Sequence, residues 1–235
     1  MKKFIILCLA ISLSSCAELQ QVVNSLPQDG GSVLSQAQIG NGLKEALQFG
    51  IDKQVSKLTA KDGFYKNQLT KILLPEELRK VDKTLRDIGL SSLADEGLKV
   101  LNRAAEDAVK EATPIFINAV TEITFADAKN ILLGSNDAAT QYLTSKTQQA
   151  LYAKFNPVIK NSFGKVGADQ IWENLITRYN NIPLTNNVNP DLTDYVTQEA
   201  LKGVYKMIAV EEKEIRSKYS SRTTDLLRRV FALQD

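Results

Sequence analysis

Histidine is absent from all 235 residues. That removes every His-based catalytic triad, His-ligated metal site and imidazole acid–base pair. Cysteine occurs only twice, at positions 8 and 16. An excess of charge is missing too: 29 basic residues face 27 acidic ones. Lys2 and Lys3 lie in a segment read below as cleaved, which leaves 27 against 27. A chain with no net charge has no global field to gather nucleic acid. Gly-rich phosphate cradles of the Walker or Rossmann kind do not occur, nor does a calcium loop with spaced acids around a Gly. Ser56-Lys57 and Ser145-Lys146 are neighbours that point about 100° apart on a helix, not a catalytic Ser–Lys frame.

What is present begins with an address. Residues 1–16 read MKKFIILCLAISLSSC, a short basic start followed by an apolar run. The run is too short for a bilayer, which needs about 20 apolar residues, and fits an export signal. Leu13-Ser14-Ser15-Cys16 resembles the lipobox of bacterial lipoproteins. That resemblance implies cleavage after residue 15 and acylation of Cys16, hence membrane attachment through N-terminal acyl chains. Cys8 then leaves with the signal, so the mature protein retains no free thiol. Ala17, rather than Asp, follows the cysteine, and by analogy with enteric lipoproteins this points to the outer membrane. Residues 16–38, with Pro27-Gln28-Asp29-Gly30-Gly31 at their centre, read as a tether.

Residues 39–235 read as one all-α domain of about eight to ten helices. Ile39, Leu43, Leu47, Ile51, Val55 and Leu58 form the first stripe, which Lys61-Asp62-Gly63 ends. Pro75-Glu76-Glu77 opens a second helix that stops at Gly89-Leu90. Ser92-Leu93-Ala94-Asp95 resembles a capping box for a third, running towards Glu111, and Pro114 kinks or restarts it. Thr124-Phe125-Ala126-Asp127 starts a further helix that Gly134 stops. Asn136 or Asp137 caps the next, expected to end at Phe155 before Asn156-Pro157. A helix over Asp169–Tyr179, a loop over 181–191, a long helix from Pro190 towards Tyr219 and a short one over Thr223–Leu233 complete the chain. No extended alternating β-pattern appears.

The runs Asn102-Arg103-Ala104-Ala105-Glu106, Phe125-Ala126-Asp127-Ala128, Asp137-Ala138-Ala139-Thr140, Glu211-Glu212-Lys213-Glu214-Ile215-Arg216 and Arg222-Thr223-Thr224-Asp225-Leu226-Leu227 together resemble an uncharacterised bacterial family of exported proteins and lipoproteins, DUF4197. The resemblance implies a helical exported domain without an assigned enzymatic role, and it carries over no catalytic residues.

With His and Cys gone, carboxylates are the remaining acid–base candidates. Asn102, Arg103, Glu106 and Asp225 stand in the family-like runs, and Arg103 and Glu106 are read as part of a solvated helix face. Glu211 is the exception. It lies four residues from both Met207 and Ile215, on the apolar stripe of the long C-terminal helix. A carboxylate buried there needs a partner. Arg222, across the turn at Ser220-Ser221, is the expected one, while Glu212 and Arg216 form an i,i+4 pair nearer the stripe's edge. On that pairing, Glu211→Ala costs about 3–5 kcal/mol.

No cofactor, metal or nucleic acid is called for. The expected activity is a non-enzymatic binding or scaffolding module of the cell envelope with an envelope protein as partner. A carrier of a small apolar ligand held between helices and a carboxylate-dependent envelope hydrolase are the alternatives.

Overall fold

A computed structural model describes residues 34–87, 89, 91–165, 173, 176, 177, 180 and 192–232. Cys16, the export signal, and the expected helix and loop over 169–191, apart from those four residues, lie outside them. Eight α-helices and one 3₁₀ turn make up the described elements, with no strand among them.

Helix α1 spans Gln36–Thr59. Ser35 caps it by accepting from the Gln38 N–H, while the Gln38 side chain accepts from the Ser35 N–H, a reciprocal capping box. Leu34 is already buried. Helix α1 begins ahead of Ile39, where the stripe signal starts, because the cap precedes the stripe. Helix α2 follows at Glu76–Asp87. Gly89, with φ +84°, turns the chain in a conformation that favours glycine, and α3 (Ser91–Val109) follows at once.

Pro114 falls in the first turn of α4 (Ala112–Thr121), so it restarts the chain rather than kinking a longer helix. Helix α5 (Phe125–Leu133) has the expected Thr124–Asp127 capping box and Gly134 at its end. The Thr124 hydroxyl and N–H both donate to Asp127 and hold its carboxyl below the usual carboxylate range.

Helix α6 (Ala138–Lys165) corrects the sequence expectation, since it runs through Pro157. Proline removes one backbone donor, yet Leu151, Phe155, Ile159 and Phe163 continue one buried stripe across it. Burial of that stripe outweighs the lost hydrogen bond. Helix α7 (Thr193–Ser217), the 3₁₀ turn at Tyr219–Ser221 and α8 (Asp225–Phe231) complete the set.

Helix α7 is the axis of the domain, packed against α6, α1 and α3. It runs antiparallel to α1. Gly203, early in α7, meets Phe64 just beyond the C-terminus of α1, whereas Glu211 lies opposite Gly50. The core is aliphatic with few rings. Phe116 meets Tyr205 edge-on at 5.9 Å and 82°. Burial pushes the Tyr205 hydroxyl up to about 12, although its hydrogen bond to Thr147 works the other way. No helix among the described residues is long and apolar enough to cross a membrane.

Candidate functional site

Most of the polar residues expected from the sequence gather in two clusters, one around Glu211 and Glu212 of α7 and one around Asn102 and Glu106 of α3. The first sits where α7 crosses the junction of α5 and α6. Glu212 is buried and accepts five hydrogen bonds. Two come from the N–H groups of Ala139 and Thr140 at 2.9 Å, one from the Thr140 hydroxyl at 2.8 Å, and two from the Arg216 guanidinium at 2.8 and 3.0 Å. The first turn of α6 thus receives its capping carboxylate from α7. Asp137, one of the two expected caps, accepts instead from the Ser135 hydroxyl. Arg216 also donates to the carbonyls of Ile131 and Leu132, at 2.8 and 3.3 Å, in the last turn of α5. An acid meets a helix N-terminus and a base meets a helix C-terminus, so each charge opposes the favourable pole of a macrodipole. The pair Glu212–Arg216 is a clamp on two helix ends.

Glu211 is 3% exposed, as its place on the stripe requires, but Arg222 is not its partner. Its carboxylate accepts from Lys53 and Gln54 of α1. The Arg222 guanidinium, also buried, turns to the carbonyls of Ile215 and Arg216 at the end of α7. The reason is geometric. The antiparallel packing of α1 brings donors to Glu211, while residue 222 lies beyond the helix end, where free carbonyls need donors. Lys53 is 40% exposed, which revises the expected energetics. On loss of Glu211 the ammonium can turn to water, and only the Gln54 amide is stranded. Glu211→Ala is therefore expected to cost about 1–3 kcal/mol rather than the larger penalty of an isolated buried charge, a difference that denaturant unfolding resolves.

A crevice of about 20 Å³ opens beside these side chains, lined by Gly50, Ile51, Glu211, Glu212, Arg216 and Phe231 among others. It has room for about one water molecule.

The second cluster corrects the reading of Arg103 and Glu106 as a solvated face. Residues 60–75 form an irregular strap that covers this side of α3. Asn102, fully buried, accepts from the Ile72 N–H at 2.8 Å and donates to the carbonyls of Ile72 and Leu98 at 2.9 and 2.8 Å. Glu106 accepts from the Phe64 N–H at 3.2 Å and from Arg103 at 2.8 Å. Arg103 continues to Asp62 at 2.6 Å. Asp62 stands at φ +66°, a left-handed conformation that Asp tolerates. Lys66 bonds its carboxyl and, with Arg103 and the other lysine next to it, holds it low against a smaller opposing effect of burial. Phe64 drives the strap inward, with its ring against Gly203, where a Cβ would come within 2.8 Å.

Asp225 stands apart from both clusters. It is exposed and pairs with Arg228 at 2.9 Å in the first turn of α8, whose cap is Thr224. Sequence reasoning missed Lys53, Gln54, Thr140 and the strap. Gln54 carried a signal, since it interrupts the apolar stripe of α1 between Ile51 and Leu58. The strap carried none, because an irregular segment has no period. Among the described residues no three acidic side chains gather to hold a metal ion.

Neither curated proteins nor solved structures give a match to the chain. The family described as "Protein of unknown function (DUF4197)" matches residues 33–232, from next to the buried Leu34 to the residue that follows α8. The chain belongs to the DUF4197 family.

Proposed function

We propose that the protein is a lipoprotein of the cell envelope, held at the outer membrane through acylated Cys16, whose helical domain is a rigid binding or scaffolding module rather than an enzyme. The observation that carries this reading is how the buried charges are used. Catalysis by a carboxylate needs an oxygen free to meet substrate. Glu212 spends its oxygens on five donors, Glu211 on Lys53 and Gln54, and Glu106 on Phe64 and Arg103. A glycosidase holds two carboxyl groups across an open cleft, whereas Glu211 and Glu212 are 3% and 7% exposed. A carrier of an apolar ligand needs a cavity of hundreds of Å³, and the crevice beside Glu211 has space for about one water. The sequence MKKFIILCLAISLSSC supports the anchor.

The test joins anchor and partner. In cells fed a labelled fatty acid, wild-type protein is expected to take up label and sediment with membranes, and Cys16→Ala to do neither. Crosslinking in intact cells is expected to trap the wild type in a discrete higher-mass adduct that the unanchored variant forms far less. Equal membrane retention of both forms, with no lipid label on the wild type, overturns the anchor. Turnover of an envelope polymer by the purified protein overturns the non-enzymatic reading.

A further inference from the structure

We propose that the strap over residues 60–75 is a second membrane contact that docks on an anionic lipid bilayer; this rests on the lipid-anchor reading and names a surface for it. The strap has three lysines, Lys61, Lys66 and Lys71, with Lys57 just before it at the end of α1, and one acid, Asp62. Asp62 is paired with Arg103 and Lys66, and Asp95 of α3, near Lys71 and Lys99, is paired with Arg86. Leu69 and Leu73 are 47% and 52% exposed on the same segment. Lys71 stands over the Tyr65 ring at 4.4 Å, and Lys99 of α3 approaches it at 5.9 Å. Cationic heads beside an aromatic ring and two exposed leucines match a bilayer interface, where apolar groups enter the acyl boundary and ammonium groups meet phosphates.

The strap is also held in place. Asn102, Glu106 and Arg103 bind it from below and Phe64 is inserted beneath it. The two leucines are therefore displayed by a fixed scaffold.

Reach is sufficient. The strap lies at the end of α1 remote from Leu34, about 36 Å away along a helix of 24 residues. Residues 17–33 can span at most about 60 Å. A chain anchored at Cys16 thus has enough length for the strap end to come down on the same bilayer. The acyl chains on Cys16 hold the protein at the bilayer, and the basic, apolar patch then sets which face of the domain lies against it.

The experiment is a lysine footprint. Full-length protein purified from membranes is placed in vesicles of phosphatidylcholine alone or with phosphatidylglycerol, and exposed amines are modified and quantified residue by residue. Lys61, Lys66 and Lys71 are expected to lose labelling several-fold on the anionic vesicles and to regain it in high salt. Lys154 and Lys160, exposed on α6, are expected to label equally on both vesicles. The double variant Leu69→Asn, Leu73→Asn, which alters only exposed side chains, is expected to abolish the difference. Equal labelling of the strap on the two vesicles overturns the proposal and leaves an acidic protein as the partner of this face. Protection of the α6 lysines to the same degree also overturns it. Protein purified without acyl groups overturns the anchor separately, and the strap is then judged by the same footprint with vesicles added to the unanchored chain.

Discussion

Replacing Glu212 by Ala is expected to destabilise the domain by about 3–5 kcal/mol, the usual result of leaving one member of a buried ion pair behind. For a chain of this size that lowers Tm by roughly 6–20 °C. The substitution strands the Arg216 guanidinium, which is 5% exposed. It also strips the N–H groups of Ala139 and Thr140 of their acceptor. Both losses fall at the helix end that α7 closes in place of a local cap. Arg216→Met is expected to be milder, because the carboxylate loses its two Arg216 donors and the last carbonyls of α5 lose theirs, yet the carboxylate keeps three donors from Ala139 and Thr140 at a helix N-terminus. The order of the two variants is the informative measurement. A Glu212→Ala protein as stable as wild type, or an Arg216→Met protein that melts lower than it, refutes the clamp.

The helices were legible because each stripe had a period and most ends had chemistry. Thr124 and Asp127 announced α5, and Gly134 closed it. The stripe from Ile39 to Leu58 announced α1. Pro157 misled because a local rule about a missing donor was weighed without the burial of Ile159 and Phe163 beyond it. The burial of Glu211 was legible from its spacing to Met207 and Ile215, but its partner was not. Lys53 and Gln54 lie more than 150 residues earlier, and only the antiparallel docking of α1 on α7 brings them near. Arg103 and Glu106 were misjudged for a related reason. Helical periodicity tells which residues share a face, and says nothing of a non-helical segment that comes to cover it. Both buried clusters thus drew on residues already singled out, yet their roles were set by contacts with no sequence period.

Asn102→Ala is the sharpest probe of that hidden segment. The Asn102 amide acts as a piece of backbone, pairing with both the N–H and the carbonyl of Ile72 while also satisfying the Leu98 carbonyl. Ile72 is 1% exposed, so water cannot readily replace the amide. An unsatisfied buried donor or acceptor costs about 1–3 kcal/mol, and two of them at Ile72 bring the expected loss to about 2–6 kcal/mol. The loss has a local signature. Hydrogen exchange at the Ile72 amide and through residues 60–75 should accelerate far more than exchange in α6, because the strap can lift while the α6–α7 pair stays closed. Asn102→Asp separates the two halves of the contact. It keeps the acceptor for the Ile72 N–H and removes both donors, so it should retain part of the amide's protection while still losing stability. An Ile72 amide that exchanges at the wild-type rate in Asn102→Ala rules out this role for Asn102, since the strap would then be held by Phe64 against Gly203 and by Glu106 alone.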